Sequence, residues 1–168
     1  MKLYFATSDK WYSKLMMKIE GSEVSHIGLG FLDDKKIVLD ATKPYSKIYH
    51  LDHWKTKYEI VHTINIPLPK DIEDIAYKVA VDYCMLKPYD WGAYYYAWVC
   101  GLRRYFFKIK VPTVNKYALE HGLWCTEVIR PLKHILKNEG LDYTDINLSA
   151  TTPQMVFDIA KNQGWEWE

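Results

Sequence analysis

The chain has 168 residues, 49% of them hydrophobic and 26% charged, the balance of a globular chain able to bury a core. Its mean hydropathy is negative, so neither disorder nor low complexity is the theme. Lys and Arg total 22 against 21 Asp and Glu, a net charge of +1, which argues against a dedicated nucleic-acid binder.

Length and the lack of a linker or internal repeat predict one domain over residues 1–168. Three cysteines at 84, 100 and 125 make no disulfide framework and stand at no zinc-ligand spacing, so a reducing compartment fits best. Met1 to Trp11 has no apolar run or small-residue cleavage site, so the expectation is a cytoplasmic protein without signal peptide or transmembrane segment. The unusual figure is 15% aromatic residues, which suggests an interface or a pocket with amphipathic walls.

In chain order, Lys2 to Thr7 alternates as a strand. Ser8 or Asp9 is the expected cap of a helix carrying Trp11, Leu15 and Ile19, stopped by Gly21. His26 to Phe31 and Lys35 to Asp40 read as a hairpin around Leu32, Asp33 and Asp34, followed by strands at Ile48 to Leu51 and Tyr58 to Ile66. From Asp71 the period changes: Ile72, Ile75, Ala76, Val79, Ala80 and Tyr83 predict a helix closed before Pro88. Tyr89 to Lys110 is aromatic, interrupted by Arg103 and Arg104, and does not span a membrane. Trp124 to Asn138 and Pro153 to Gln163, the latter capped by Thr152 and stopped by Gly164, read as the last helices. The class is α+β, an antiparallel sheet with helices packed on it.

Cys125 stands at the start of a predicted helix, where the dipole and free N–H groups favour a thiolate. The bland alternative is a buried core cysteine, the reading kept for Cys84 and Cys100. Cys125 has company, however. A three-residue turn at Leu32 to Asp34 would pair residue 31 with 35 and His26 directly with Asp40, both side chains on one face. Gly28 and Gly30 leave that face bare, where the Cys helix could dock. Nucleophile, base and orienter are the minimum set for covalent acyl transfer.

Val24-Ser25-His26-Ile27-Gly28-Leu29-Gly30, Val38-Leu39-Asp40-Ala41-Thr42, Lys87-Pro88-Tyr89-Asp90-Trp91-Gly92 and Trp124-Cys125-Thr126-Glu127-Val128-Ile129 together resemble the NlpC-type papain-like cysteine hydrolases. The His strand precedes the Cys helix, as in the circularly permuted branch that includes YiiX-like proteins and relatives of lecithin:retinol acyltransferase. The resemblance implies a permuted papain-like fold, an antiparallel sheet or barrel against helices with the Cys at a helix N-terminus. It implies Cys125 as nucleophile, His26 as general base, Asp40 as third member, and Tyr89 and Trp124 at the oxyanion or substrate site. The implied activity is that of a cysteine peptidase or amidase on an amide or isopeptide bond, with no cofactor. A lipid acyl hydrolase or acyltransferase of the same group, and a non-catalytic binding module, are the alternatives. The sequence departs from the pattern in the gap of about thirty residues between Trp91 and Cys125 and in Thr126 where Ser is common.

His50, Asp52 and His53 are expected as solvated polar residues, with no metal site. His121 and His134 are expected at the surface or helix ends, and Glu127 as a solvated or capping charge. Residues 94–110 read as core and dimer surface, or as a lid or lipid-facing patch with Arg103, Arg104, Lys108 and Lys110 beside the rings, hence a peripheral membrane contact. The expected partner is a peptide or acyl substrate. Without an export signal, a phage-encoded protein released by lysis is one source that could reach cell-wall peptides.

Overall fold

The computed structural model describes residues 1–32, 34–107, 115, 118–119 and 121–168, without the side chains of 97, 98, 101, 104 and 105. The expectations for Asp33, Arg104, Lys108 and Lys110, and for part of the aromatic stretch 94–110, therefore lie outside the described residues. Five strands, β1 (Lys2–Thr7), β2 (His26–Phe31), β3 (Ile37–Asp40), β4 (Lys47–His50) and β5 (Glu59–Asn65), form one antiparallel sheet in the order β4-β3-β2-β1-β5. The helices are α1 (Trp11–Glu20), α2 (Leu51–Lys55), α3 (Lys70–Cys84), α4 (Trp91–Phe107), α5 (Lys133–Asn138) and α6 (Pro153–Asn162). Among the described residues there are also two 3-10 segments, Cys125–Leu132 and Leu148–Ala150. This is the α+β architecture expected.

The strand alternation assigns the two faces. Leu3, Phe5, Ile27, Leu29, Phe31 and Leu39 point into the main core, which Val128, Ile129, Leu132, Leu136 and α6 fill from the other side. The opposite face carries Tyr4, Ala6 and Val38, and there Trp54 of α2 packs. Gly21 (φ 65°) and Gly164 (φ 82°) end α1 and α6 in the left-handed conformation, and Thr152 Oγ1 accepts the Met155 N–H at the start of α6.

Several local expectations are corrected. Lys10, not Ser8 or Asp9, precedes α1, with no side-chain cap, and Trp11 and Leu15 are exposed while Ser13 and Met16 are buried. In α3 the buried line is Ala76, Ala80 and Cys84, leaving Ile75 and Val79 exposed. The strand expected at Ile48 to Leu51 ends at His50, whose ring accepts the Asp52 N–H and opens α2. The single helix expected from Trp124 to Asn138 is two. An α-helical Pro131 would lack an N–H and crowd the carbonyl of Glu127, and the chain runs as a 3-10 helix until Leu132.

The candidate functional site

The hairpin of β2 and β3 is wider than predicted. Lys35 and Lys36 both donate to Leu32 O, and Leu32 and Lys36 adopt positive φ, so five residues turn the chain instead of three. Phe31 then pairs Ile37, and Asp40 lies across from Gly28, two residues from the expected partner. A slip of two preserves the face, because side chains alternate with period two. Asp40 consequently reaches His26 diagonally, with His26 Nε2 and Asp40 Oδ1 2.5 Å apart.

Asp40 is fully buried and its second oxygen is also occupied. Trp54 Nε1–H donates to Oδ2 at 3.0 Å. The bare glycine face serves this indole, not the Cys helix: a Cβ on Gly28 would stand 2.8 Å from Trp54 Cζ2, and one on Gly30 would stand 2.5 Å from Tyr4 Cε2. The Cys125–Leu132 helix packs on the opposite face, through Val128, Ile129 and Leu132. His26 and Cys125 meet instead at one end of the sheet, where β2 and β5 begin and β1 and β3 finish. Tyr58, just before β5, stacks flat on the His26 ring with centroids 4.3 Å apart.

Cys125 is the first residue of its helix and is 1% exposed. The N–H of Trp124 just before it donates to Glu127 Oε2, Glu127 also pairs with Arg130, and Thr126 Oγ1–H donates to Leu148 O. Glu127 is thus a capping charge, but a buried one, and burial pushes its pKa up. Cys125 is among the groups that act on the His26 ring. Since Nε2 is engaged by Asp40, Nδ1 is the nitrogen left for the sulfur. Burial opposes charge on the ring. Tyr58 stacked on the ring, the charge and hydrogen bond of Asp40, and the neighbouring Cys125 outweigh it, holding the His26 pKa well above 6.5.

Tyr89 and Trp124 close the site. Both are buried, their rings 5.9 Å apart, and they cluster with Cys125 and Ala93. Burial, then the neighbouring acidic groups Cys125, Tyr58, Tyr94 and Asp40, push the Tyr89 phenol well up, so it remains a donor. Asp90 Oδ1 accepts the Ala93 N–H at the start of α4, and Oδ2 accepts the Leu119 N–H. His26, Tyr58, Tyr89 and Trp124 line a cavity of ≈ 130 Å³ that Lys10, Tyr12, Lys43 and Tyr94 extend outward. The other cysteines stand apart: burial pushes Cys84 up to about 12, and Cys100 is raised by the same cause. His50, Asp52, His53, His121 and His134 are exposed.

Trp54, Tyr58 and Lys43 were not singled out in the sequence. The spacing Trp54-x-x-x-Tyr58 between two strands was the available sign for the first two.

No protein-family model matches the chain, and no curated protein matches it in sequence. Among solved structures, the crystal structure of the metalloprotein YiiX from Escherichia coli O157:H7, DUF1105, superposes with a TM-score of 0.52 at 19% identity. The alignment covers 94% of this chain and 90% of that one. The two chains share a fold. The word metalloprotein belongs to YiiX. Here, among the described residues, no three His, Cys, Asp or Glu side chains converge as ligands, and both Asp40 oxygens are held by protein donors. The described residues do not form a metal-ligand set.

Proposed function

We propose that the protein is a thiol-dependent hydrolase of the permuted papain-like, NlpC-type group, a cysteine peptidase or amidase acting on an amide or isopeptide bond. The observation that carries this reading is the His26 ring, bound by the buried Asp40 at 2.5 Å on Nε2 and neighboured by Cys125 at the first position of its helix. The fold shared with YiiX supports it at the level of architecture alone.

The Cys125 thiolate attacks the substrate carbonyl, forming the C–S bond while the carbonyl π electrons move to oxygen. The Cys125 backbone N–H, without an intrahelical acceptor at the first helical position, and the Tyr89 hydroxyl are the donors for that oxyanion. The imidazolium of His26 passes its Nδ1 proton to the leaving nitrogen as the C–N bond breaks, which leaves a thioester. Water then gives a proton to Nδ1 and attacks the thioester carbonyl, and cleavage of the C–S bond releases the acid and the thiolate. Asp40 stays ionised throughout and fixes the proton on Nε2.

An exposed aromatic face favours a second reading, a lipid acyl hydrolase or transferase working at a membrane. Trp91, Tyr95, Phe106 and Phe107 of α4 are exposed, as are Trp11 and Leu15 of the neighbouring α1, and Arg103 lies beside them. Among the described residues no helix is long and apolar enough to cross a membrane. Both readings are tested by acid-quenched mass spectrometry after incubation with peptide-amide and phospholipid libraries, alongside sedimentation with anionic liposomes. A peptidyl adduct on Cys125 without sedimentation supports the amidase. A fatty-acyl adduct with tight liposome binding replaces it with the lipid enzyme, and turnover by Cys125→Ala overturns both.

A further inference from the structure

Lys43 follows Asp40 by three residues, on the segment that leaves the end of β3 where the site is built. Its ammonium lies over four rings: 5.0 Å from the centroid of Tyr12, 5.4 Å from Tyr89, 3.9 Å from Trp91 and 4.7 Å from Tyr94. All four distances are within cation–π range. The rings are braced against one another, Tyr12 edge-on to Tyr94, Tyr89 edge-on to Trp91, and Trp91 edge-on to Tyr94. Three of them come from the stretch that enters α4 and the fourth from α1, so the cage is a tertiary feature at the mouth of the cavity.

A carboxylate beside an ammonium would cancel its charge. Aromatic rings hold it without doing so. Among the described residues no carboxylate pairs with Lys43, and Lys10 shares the Tyr12 ring with it from 5.8 Å. Burial and then the Lys10 charge lower the Lys43 pKa, the mark of an ammonium short of negative charge. Both lysines line the same cavity as His26 and Tyr89, against a single lining carboxylate, Glu20, among the described residues.

We propose that Lys43, seated among Tyr12, Tyr89, Trp91 and Tyr94 with Lys10 across the Tyr12 ring, is the receptor for an anionic group, carboxylate or phosphate, carried by the substrate of this cavity. The proposal deepens the hydrolase reading, resting on it only for what the anion is attached to. The rigid cage keeps the ammonium ordered before binding, so less conformational entropy is lost when the anion arrives. Lys43 acts in recognition and takes no part in bond making.

The test uses two small alkylating agents that differ in charge, iodoacetate and iodoacetamide, with the second-order rate of each at Cys125 measured by mass spectrometry of the intact chain. Because His26 also favours the anion, the informative quantity is the iodoacetate-to-iodoacetamide ratio in Lys43→Met relative to the parent protein. The expected result is a fall of about threefold or more in Lys43→Met, retention in Lys43→Arg, and loss of the difference at high salt. The iodoacetamide rate itself should stay unchanged, which shows the site intact. An unchanged or increased ratio in Lys43→Met overturns the proposal.

A second arm does not depend on thiol reactivity. Cys125→Ala protein is titrated with succinate, glycerol 3-phosphate and neutral succinamide, with binding followed by saturation-transfer NMR. Binding of either anion that weakens in Lys43→Met supports the proposal and tells a carboxylate from a phosphate source. Anion binding indifferent to Lys43, or none, overturns it. A chain whose Cys125 ignores iodoacetamide while the anion still binds through Lys43 would contradict the hydrolase reading alone.

Discussion

Trp54 donates its indole N–H to Asp40 Oδ2, and the same carboxylate holds His26 through Oδ1, so one buried group is fixed from both sides. A carboxylate can accept both bonds at once. An amide cannot, because one of its two polar atoms is a donor.

Asp40→Asn therefore forces a choice. With its oxygen accepting from Trp54, the amide NH2 faces Nε2, which must become an acceptor, and the ring proton moves to Nδ1. That is the wrong tautomer for a base facing Cys125. The expected loss in turnover is roughly 10²–10⁴-fold, exceeding what the change in stability explains. Equal rates in parent and variant, compared in a hydrolysis assay beside urea melts, would show that Asp40 does not orient the ring.

Trp54→Phe keeps a ring against Gly28 but removes the donor. One Asp40 oxygen is then buried without a partner, at a cost of about 1–3 kcal/mol in urea-induced unfolding. A variant as stable as the parent would mean that this hydrogen bond contributes nothing.

Gly28→Ala and Gly30→Ala separate packing from site. Each added methyl meets an aromatic ring, Trp54 or Tyr4, and each is expected to destabilise by roughly 1–3 kcal/mol. Only Gly28→Ala pushes on the ring that holds Asp40, so only it should also slow turnover in the folded fraction. Equal kinetic effects from both would dissociate Trp54 from the site.

The pH dependence follows from the raised His26 pKa. Burial opposes the charged ring, and the stacked Tyr58, the charge and hydrogen bond of Asp40 and the neighbouring Cys125 overcome it. A group whose pKa rises on folding contributes its full stability below the unfolded value, about 6.5, and loses it as pH climbs through the folded value. The stability gap between the parent and His26→Phe should accordingly shrink as pH rises through that higher value, and the His26 ring protons should titrate above 6.5 by NMR. A midpoint at or below 6.5, or a gap that widens with pH, would contradict the electrostatics described above.

Much of this arrangement was legible in the chain because its signals are local. The alternation at His26 to Phe31 and the face shared with Asp40 follow from period two, which survives an error of two in the register. The register itself depends on positive φ at Leu32 and Lys36, residues that do not advertise a left-handed turn as glycine would. The bare face at Gly28 was visible, but its occupant was not, since Trp54 arrives from a different element across no fixed spacing. Helical periodicity predicted α3 and gave the wrong buried line, because the small residues Ala76 and Ala80 face the core and the larger Ile75 and Val79 do not. The cage around Lys43 draws on three segments distant in sequence, and no pattern within any of them discloses it.

The central claim is that Cys125 is a nucleophile set by His26, and alkylation by iodoacetamide at neutral pH tests it most directly, with labelled peptides resolved by mass spectrometry over time. Cys125 is expected to react well ahead of Cys84, whose thiol burial pushes up to about 12, and ahead of Cys100, with the advantage falling at least tenfold or so in His26→Ala. Labelling of Cys125 no faster than Cys84, or unaffected by removal of the His26 ring, would contradict the account.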